Sequence, residues 1–213
     1  MEWRFLGEGE GLAGCGPLLR RIDEMLGRYP QVLLAIDGDA AAGKSTLGAG
    51  LQSLYDSNLF HMDHFFLQAH QRTEARAMEP GGNVDYERFH REVLLPVLGQ
   101  TPFSYRPFSC QTGTFGEAIA VEPRSLVIVE GAYSLHPTLA AAYHIKVFLA
   151  VEGEEQMRRI RARNGENMAM RFLQEWIPKE KEYFLHFDIQ NHCHFLGKYG
   201  ILEETTEFTE KRS

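Results

Sequence analysis

No apolar run in this 213-residue chain approaches the roughly 20 residues a helix needs to cross a bilayer, so no membrane association is expected. The opening Met1-Glu2-Trp3-Arg4 lacks the basic-then-apolar pattern of a secretory signal. Cysteine is scarce. Cys15, Cys110 and Cys193 are odd in number and not spaced as a metal motif, which points to reduced thiols and a cytoplasmic location. Basic charge is also in short supply: 22 Lys and Arg stand against 29 Asp and Glu, a formal net charge of −7. That balance argues against a protein that lives on nucleic-acid phosphates.

What is present is ordinary in bulk and specific in one place. Hydrophobic content of 44% and charged content of 24% suit a globular domain, and the length suits one α/β domain with a full core. The specific stretch runs from Ala35 to Thr46 and contains Gly38-Asp39-Ala40-Ala41-Ala42-Gly43-Lys44-Ser45, the G-x-x-x-x-G-K-S pattern of a phosphate-binding loop. Its context fits. The β-branched run Val32 to Ile36 precedes it as a buried strand, and Leu47, Leu51 and Leu54 follow at helical spacing. Gly38 and Gly43 let successive N–H groups turn inward around phosphates, and the helix start adds partial positive charge. The pattern assigns residues 38–46 to a nucleoside triphosphate, with Lys44 on its β- and γ-phosphates and the Ser45 hydroxyl on Mg²⁺.

Along the rest of the chain, helical and strand patterns alternate. Residues 1–13 read as a loose lead-in and 17–28 as an amphipathic helix. Residues 58–63 read as a strand ending on Asp63, and 68–83 as a polar surface excursion. A helix begins after Asp85, which is placed to cap it. Residues 101–121, with Pro102, Pro107, Gly113 and Gly116, read as a small β flap. Ser125 to Gly131 and Ile145 to Val151 are further strands, and the first of them carries Glu130 at its end. Residues 152–164 form a helix with acids first and arginines last, as the helix dipole favours. A helical stretch at 172–184 is interrupted by Pro178, Asp188-Ile189 begins a last strand, and a polar tail runs from 199 to 213. The expected architecture is a single domain over 1–213 of the P-loop NTPase class. A parallel sheet carries helices on both faces in three α/β/α layers, with the flap and an arginine-bearing lid region at 158–172. Ligands in such folds bind at the carboxyl ends of the strands, where the loop, Asp63 and Glu130 all fall.

Residue choice narrows the class further. None of the six lysines stands in the Asn/Thr-Lys-x-Asp motif that reads guanine, and Val129-Glu130-Gly131 lacks the Asp-Glu strand end usual in mechanical ATPases. Arg158, Arg159, Arg161, Arg163 and Arg171 cluster in an otherwise acidic chain. They suggest a lid that closes over a transferring phosphoryl group and excludes water; a solvated, dipole-matched helix end is the plainer alternative.

Asp37 to Thr46, Met62-Asp63-His64-Phe65-Phe66, Asn83-Val84-Asp85-Tyr86-Glu87-Arg88-Phe89 and Ile128-Val129-Glu130-Gly131 together resemble the uridine kinase family, which is related to phosphoribulokinase and pantothenate kinase. The stretches 129–137, 161–166 and 175–178 resemble a bacterial branch of that group, and the resemblance covers about residues 15 to 190 in order. It implies an ATP- and Mg²⁺-dependent kinase acting on a small-molecule alcohol, with uridine or cytidine as first guess. A kinase for pantothenate, nicotinamide riboside or a sugar phosphate, and a non-catalytic ATP-binding module, are the rivals. It implies that Asp63 takes the proton from the acceptor hydroxyl and helps hold Mg²⁺, as Glu130 does directly or through water. Asp85 would hold ribose hydroxyls, and Arg163 would be a lid arginine, with Arg161 and Arg171 as further candidates. Relatives of this kind are often oligomers, so a homo-oligomer is expected too.

The chain departs from nucleoside-specific members in the flap. Tyr105-Arg106-Pro107-Phe108-Ser109-Cys110-Gln111 replaces the base-reading pair; Phe108 offers a stacking face, and Arg106 a partner for an anionic acceptor group. Phe65 and Phe66 either wall the acceptor site or fill core. Of His61 and His64, which flank Asp63, one tunes the pocket and one points away. His186, His192 and His194 beside Cys193 match no standard zinc spacing.

Overall fold

Val32–Gly38 (β1) is buried at every position, as a central strand covered on both faces must be. In the computed structural model, which describes residues 12–198 and 200–205, β1 pairs in parallel with Leu126–Glu130 (β7) on one side and Ile145–Ala150 (β8) on the other. Ser57–His61 (β2) adds to β7, and Phe195–Lys198 (β9) adds to β8, both in parallel. Ile201–Glu204 (β10) closes the far edge antiparallel to β9, so the sheet order is β10-β9-β8-β1-β7-β2.

Alternate β1 residues feed two cores. Val32, Leu34 and Ile36 pack beneath Gly16–Leu26 (α1) and Lys44–Leu54 (α2), with Leu18, Ile22, Leu47 and Leu51 fully buried. Leu33 and Ala35 face the opposite core, which holds Phe60, Phe65, Phe89, Phe148, Tyr183 and Phe184. The result is the three-layer α/β/α P-loop architecture. Side chains on a strand alternate between faces, so a strand buried at every position and apolar from Val32 to Ile36 requires both layers.

Two helical runs carry π turns, and each stands just before a proline. Tyr86–Phe89 (α4) passes through His90–Leu94 into Leu95–Leu98 (α5), which holds Pro96. Glu166–Arg171 (α8) passes through Phe172–Trp176 into Ile177–His186 (α9), which holds Pro178. Proline offers no N–H and its ring crowds the carbonyl four residues back; widening the ladder for one turn absorbs both. Pro178 therefore widens the helix instead of interrupting it.

Other expectations need correction. The strand before Asp63 stops at His61, and Asp63 lies in the 3₁₀ turn Met62–Phe65. The 68–83 surface excursion carries a short helix the residue pattern did not indicate, Glu74–Met78 (α3), and Arg76 donates to the carbonyls of Gly82 and Val84 and pairs with Glu87. Asp188 and Ile189 form a turn, with Asp188 at φ 50°, and the last parallel strand starts at Phe195. Residues 201–204 of the polar tail form β10; residues 1–11, 199 and 206–213 lie outside the described residues. The flap is a nested hairpin: Phe103–Tyr105 (β3) pairs with Ile119–Val121 (β6), and Phe108–Ser109 (β4) with Thr114–Phe115 (β5). Among the described residues no helix is long and apolar enough to cross a membrane.

Candidate active site

The phosphate loop leaves β1 where there is no room for a side chain. A Cβ on Gly38, at φ 133°, would stand 2.0 Å from the Leu149 carbonyl oxygen, so only glycine fits. Gly43, at φ 101°, then turns the chain into α2, whose first amides receive no side-chain cap and are available to an anion. Ala41 holds φ 60° without being glycine, a strained conformation of the kind that surrounding structure must impose. Lys44 curls back over the loop, donating to the carbonyls of Gly38 and Asp39 at 2.8 Å each. The Asp39 side chain is used structurally, accepting from the Val151 amide at 3.0 Å.

Sheet register brings the acids to this loop. Glu130 sits level with Ile36 on β1 and with His61 on β2. It is buried at 4% exposure; Oε2 accepts from the Ser45 hydroxyl at 3.1 Å and Oε1 lies 2.5 Å from His61 Nδ1. That hydrogen bond raises the proton affinity of His61. Asp63, just past the strand end, accepts no hydrogen bond from the described residues. It is open to solvent yet densely surrounded by protein, and desolvation followed by the charge of Glu130 pushes its pKa up, against the opposing pull of Lys44, His61 and Arg163. His64 bonds Tyr105 Oη at 3.2 Å, and its ring lies 5.2 Å from that of His61. Both histidines therefore face the site, and neither points away.

These groups fit a hard divalent cation. Ser45, Glu130 and Asp63 supply oxygen donors and no thiolate. Among the described residues no three His, Cys, Asp or Glu side chains converge to hold a metal by themselves. Mg²⁺ suits such a partial set, because it keeps waters and takes further oxygens from a bound phosphate.

The arginines divide. Arg161 pairs with Glu166, Arg171 with Glu175, and Arg158 and Arg159 with Glu155. Arg163 makes no ion pair with the described residues, bonds only Asn164 Oδ1, and stands within electrostatic range of Asp63. Gly153–Asn164 (α7) thus presents one arginine without an acidic partner toward Asp63, not a cluster; Arg159, though paired with Glu155, also donates to the Ala41 carbonyl.

The acceptor-side expectations are revised most. Phe65 is fully buried, edge-to-face on Phe89 and stacked with Tyr105, so it is core and not a pocket wall. Phe108 is 6% exposed and packs on Phe115. Asp85 caps α4, accepting from the Arg88 amide at 2.9 Å and from Gln71 at 2.6 Å. Arg106 is exposed and spends its guanidinium on the flap carbonyls of Gly116 and Phe115. His194 and His192 bond main chain, at the Lys146 amide and the Asp188 carbonyl.

Sequence reasoning missed a buried polar network behind the loop. Asp37, with no exposure, accepts from the amides of Gly38, Tyr133 and Leu135 and from the Tyr183 hydroxyl at 2.9 Å. Glu180 accepts from the Ala40 amide at 3.0 Å, and Gln156 donates to the Ala40 carbonyl at 3.1 Å. Also missed were Arg72 and Arg88, which hold the Leu67 and His64 carbonyls beside Asp63. The one available signal was an acid, Asp37, inside an otherwise apolar strand.

No family model matches the chain, and no curated protein matches it in sequence. Solved structures do. A provisionally named uridine kinase from Bacillus stearothermophilus is 16% identical, with TM-score 0.62 over 85% of this chain and 99% of that one. A provisionally named fructose transport system kinase from Silicibacter is 23% identical, with TM-score 0.60 over 79% and 93%. A D-glycerate 3-kinase from Cryptococcus neoformans is 12% identical, with TM-score 0.58 over 88% and 96%. At these identities the likeness establishes the fold alone: the chain has the P-loop α/β fold that these three structures share.

Proposed function

We propose that this chain is an ATP- and Mg²⁺-dependent phosphotransferase that phosphorylates a primary alcohol of a small molecule, with uridine or cytidine, giving the 5'-monophosphate, as the first acceptors to test. The observation that carries this reading is Asp63. It is a carboxylate with no hydrogen bond from the described residues and a raised proton affinity, beside Lys44, Glu130 and the phosphate loop. Binding a phosphate needs no such base; transferring one to an alcohol does, which also weighs against a non-catalytic ATP-binding module.

In the reaction, the acceptor oxygen attacks the γ-phosphorus, the bond from that phosphorus to the β-bridging oxygen breaks, and ADP leaves. Asp63 takes the hydroxyl proton as the new bond forms. Lys44 balances charge on the phosphate chain, and Arg163 approaches the transferred group from α7. Ser45, Glu130 and Asp63 would hold Mg²⁺, which supplies further charge neutralisation when bound. Three structures of this fold, whose names carry uridine kinase, a fructose transport system kinase and D-glycerate 3-kinase, lend support for a small hydroxyl-bearing acceptor.

A second reading, an anionic acceptor, is favoured by one observation. Arg72 touches the flap at Cys110 and makes no ion pair among the described residues, while Arg88, over the Phe115 ring, is paired with Glu92 at 4.0 Å. ADP release measured across nucleosides, vitamin alcohols and phosphorylated or carboxylated sugars separates the two readings. Asp63→Asn should retain ATP binding and lose about 10²–10⁴-fold in kcat; near-normal turnover in that variant refutes the base assignment.

A further inference from the structure

Residue 40 of the phosphate loop is held at both ends of its backbone by side chains from outside the loop. Glu180 Oε2 accepts from its amide at 3.0 Å, and Gln156 Nε2 donates to its carbonyl at 3.1 Å. Both side chains are buried, Gln156 at 4% and Glu180 at 6% exposure. Arg159 adds a bond to the carbonyl of Ala41, the residue strained at φ 60°. One turn on from Glu180 along α9, Tyr183 fixes Asp37 at the root of the loop, as i, i+3 spacing on one helix face allows.

The hydrogen bond to Ala40 does not require an acid. A glutamine would accept the same N–H without burying a charge. What only an acid can add is a change of charge, and the surroundings of Glu180 make that consequential. From β1 and the loop it faces Asp37 and Asp39, of like sign, and Lys44, whose ammonium also serves two loop carbonyls. From the turn after β7 it faces Tyr133. From α7 it meets uncharged Gln156, while Arg159 is paired with Glu155, and its own neighbour Lys179 bonds Asn83.

We propose that Glu180 is a positioning residue for the phosphate loop and the group that takes up a proton when a nucleoside triphosphate binds there. The proposal rests on the donor half of the kinase reading. An incoming triphosphate brings several negative charges next to the loop and draws Lys44 toward them; both changes favour the neutral form of Glu180. Burial already pushes Glu180 up to about 7, so either form is accessible near neutrality.

Calorimetric titration of the intact protein with Mg·ATP, in buffers of differing ionisation enthalpy, reads the proton directly. The wild type should take up a proton near neutral pH, and its affinity should fall about tenfold between roughly pH 6 and pH 8. Glu180→Gln keeps the bond to Ala40. It should bind with a flat pH profile, take up no proton, and match or exceed wild type at the alkaline end. Glu180→Ala, checked for folding by its melting curve, should bind about tenfold more weakly at every pH. A pH slope and proton uptake that persist in Glu180→Gln overturn the proposal, as does wild-type affinity in Glu180→Ala. Wild-type binding with no proton uptake sinks this inference alone, whereas a wild type that binds no ATP sinks the kinase reading with it.

Discussion

The phosphate loop and the β flap, one on each side of Asp63 in the chain, are held by different kinds of interaction. The loop is anchored through its backbone by buried groups from three elements: Lys44 within it, Glu180 on α9 and Gln156 on α7, with Asp37 and Tyr183 beneath. The flap is two short ladders of two and three residue pairs. It is steadied by ring contacts between Phe108 and Phe115 and by an exposed Arg106 bonding its own carbonyls. A loop pinned by buried hydrogen bonds has one geometry, because each lost bond leaves an unsatisfied group. A flap held mainly by apolar contacts and solvated bonds can change its residues at small cost. Under the proposed kinase reading, the donor wall is built for one ligand type, while acceptor choice falls to the side that tolerates variation.

That contrast can be broken at several levels. On activity, Arg163→Ala should lower kcat by about a hundredfold, and Arg161→Ala and Arg171→Ala by no more than about threefold, since their guanidinium groups serve Glu166 and Glu175. Equal losses in all three, measured with saturating substrates, would restore the arginine cluster as the working lid.

On stability, Tyr183→Phe strips a buried hydrogen bond from Asp37 and should cost about 1–3 kcal/mol in chemical denaturation. A pH comparison comes next. Burial raises Glu180, so the folded protein binds a proton there that the unfolded chain has released. Its contribution to stability is then lost as pH rises from the ordinary carboxylate range through about 7. Glu180→Gln should gain on wild type over that window by on the order of 2–3 kcal/mol, and a constant difference would place the charge elsewhere. The smallest effect belongs to the flap: Arg106→Ala should shift stability by no more than about 0.5 kcal/mol. A larger loss would mean that the flap is as firmly built as the loop.

The resemblance and the residue patterns located the loop, Asp63 and Glu130 because each stands at the end of a strand legible from its own neighbours. The acceptor wall was legible only in part. Phe65 and Phe108 carry the side chains of a binding wall, yet both are buried in packing. Nothing in the local pattern distinguishes a ring that meets ligand from one that meets Phe89 or Phe115. Arg106 was the arginine visible in the flap, while Arg72 and Arg88, which reach the segment beside Asp63, belong to segments read as excursion and helix. Pro178 inside a helical pattern predicts a break, and nothing in the local pattern foresees the π turn that relieves it.

By itself, the sequence determined the phosphate loop, the parallel sheet and the acids at its strand ends. Those features depend on near neighbours: glycine torsions, β-branched runs and helical periods act over a few residues. The tertiary structure alone decided that Glu180, 140 residues beyond Ala40, would grip the loop, and that Tyr183 would brace Asp37. It also decided that one arginine of α7, Arg163, would stand toward Asp63 without an acidic partner. The physical reason is that a buried polar group takes its partner from whichever element packs over it, and packing across layers leaves no trace in local periodicity.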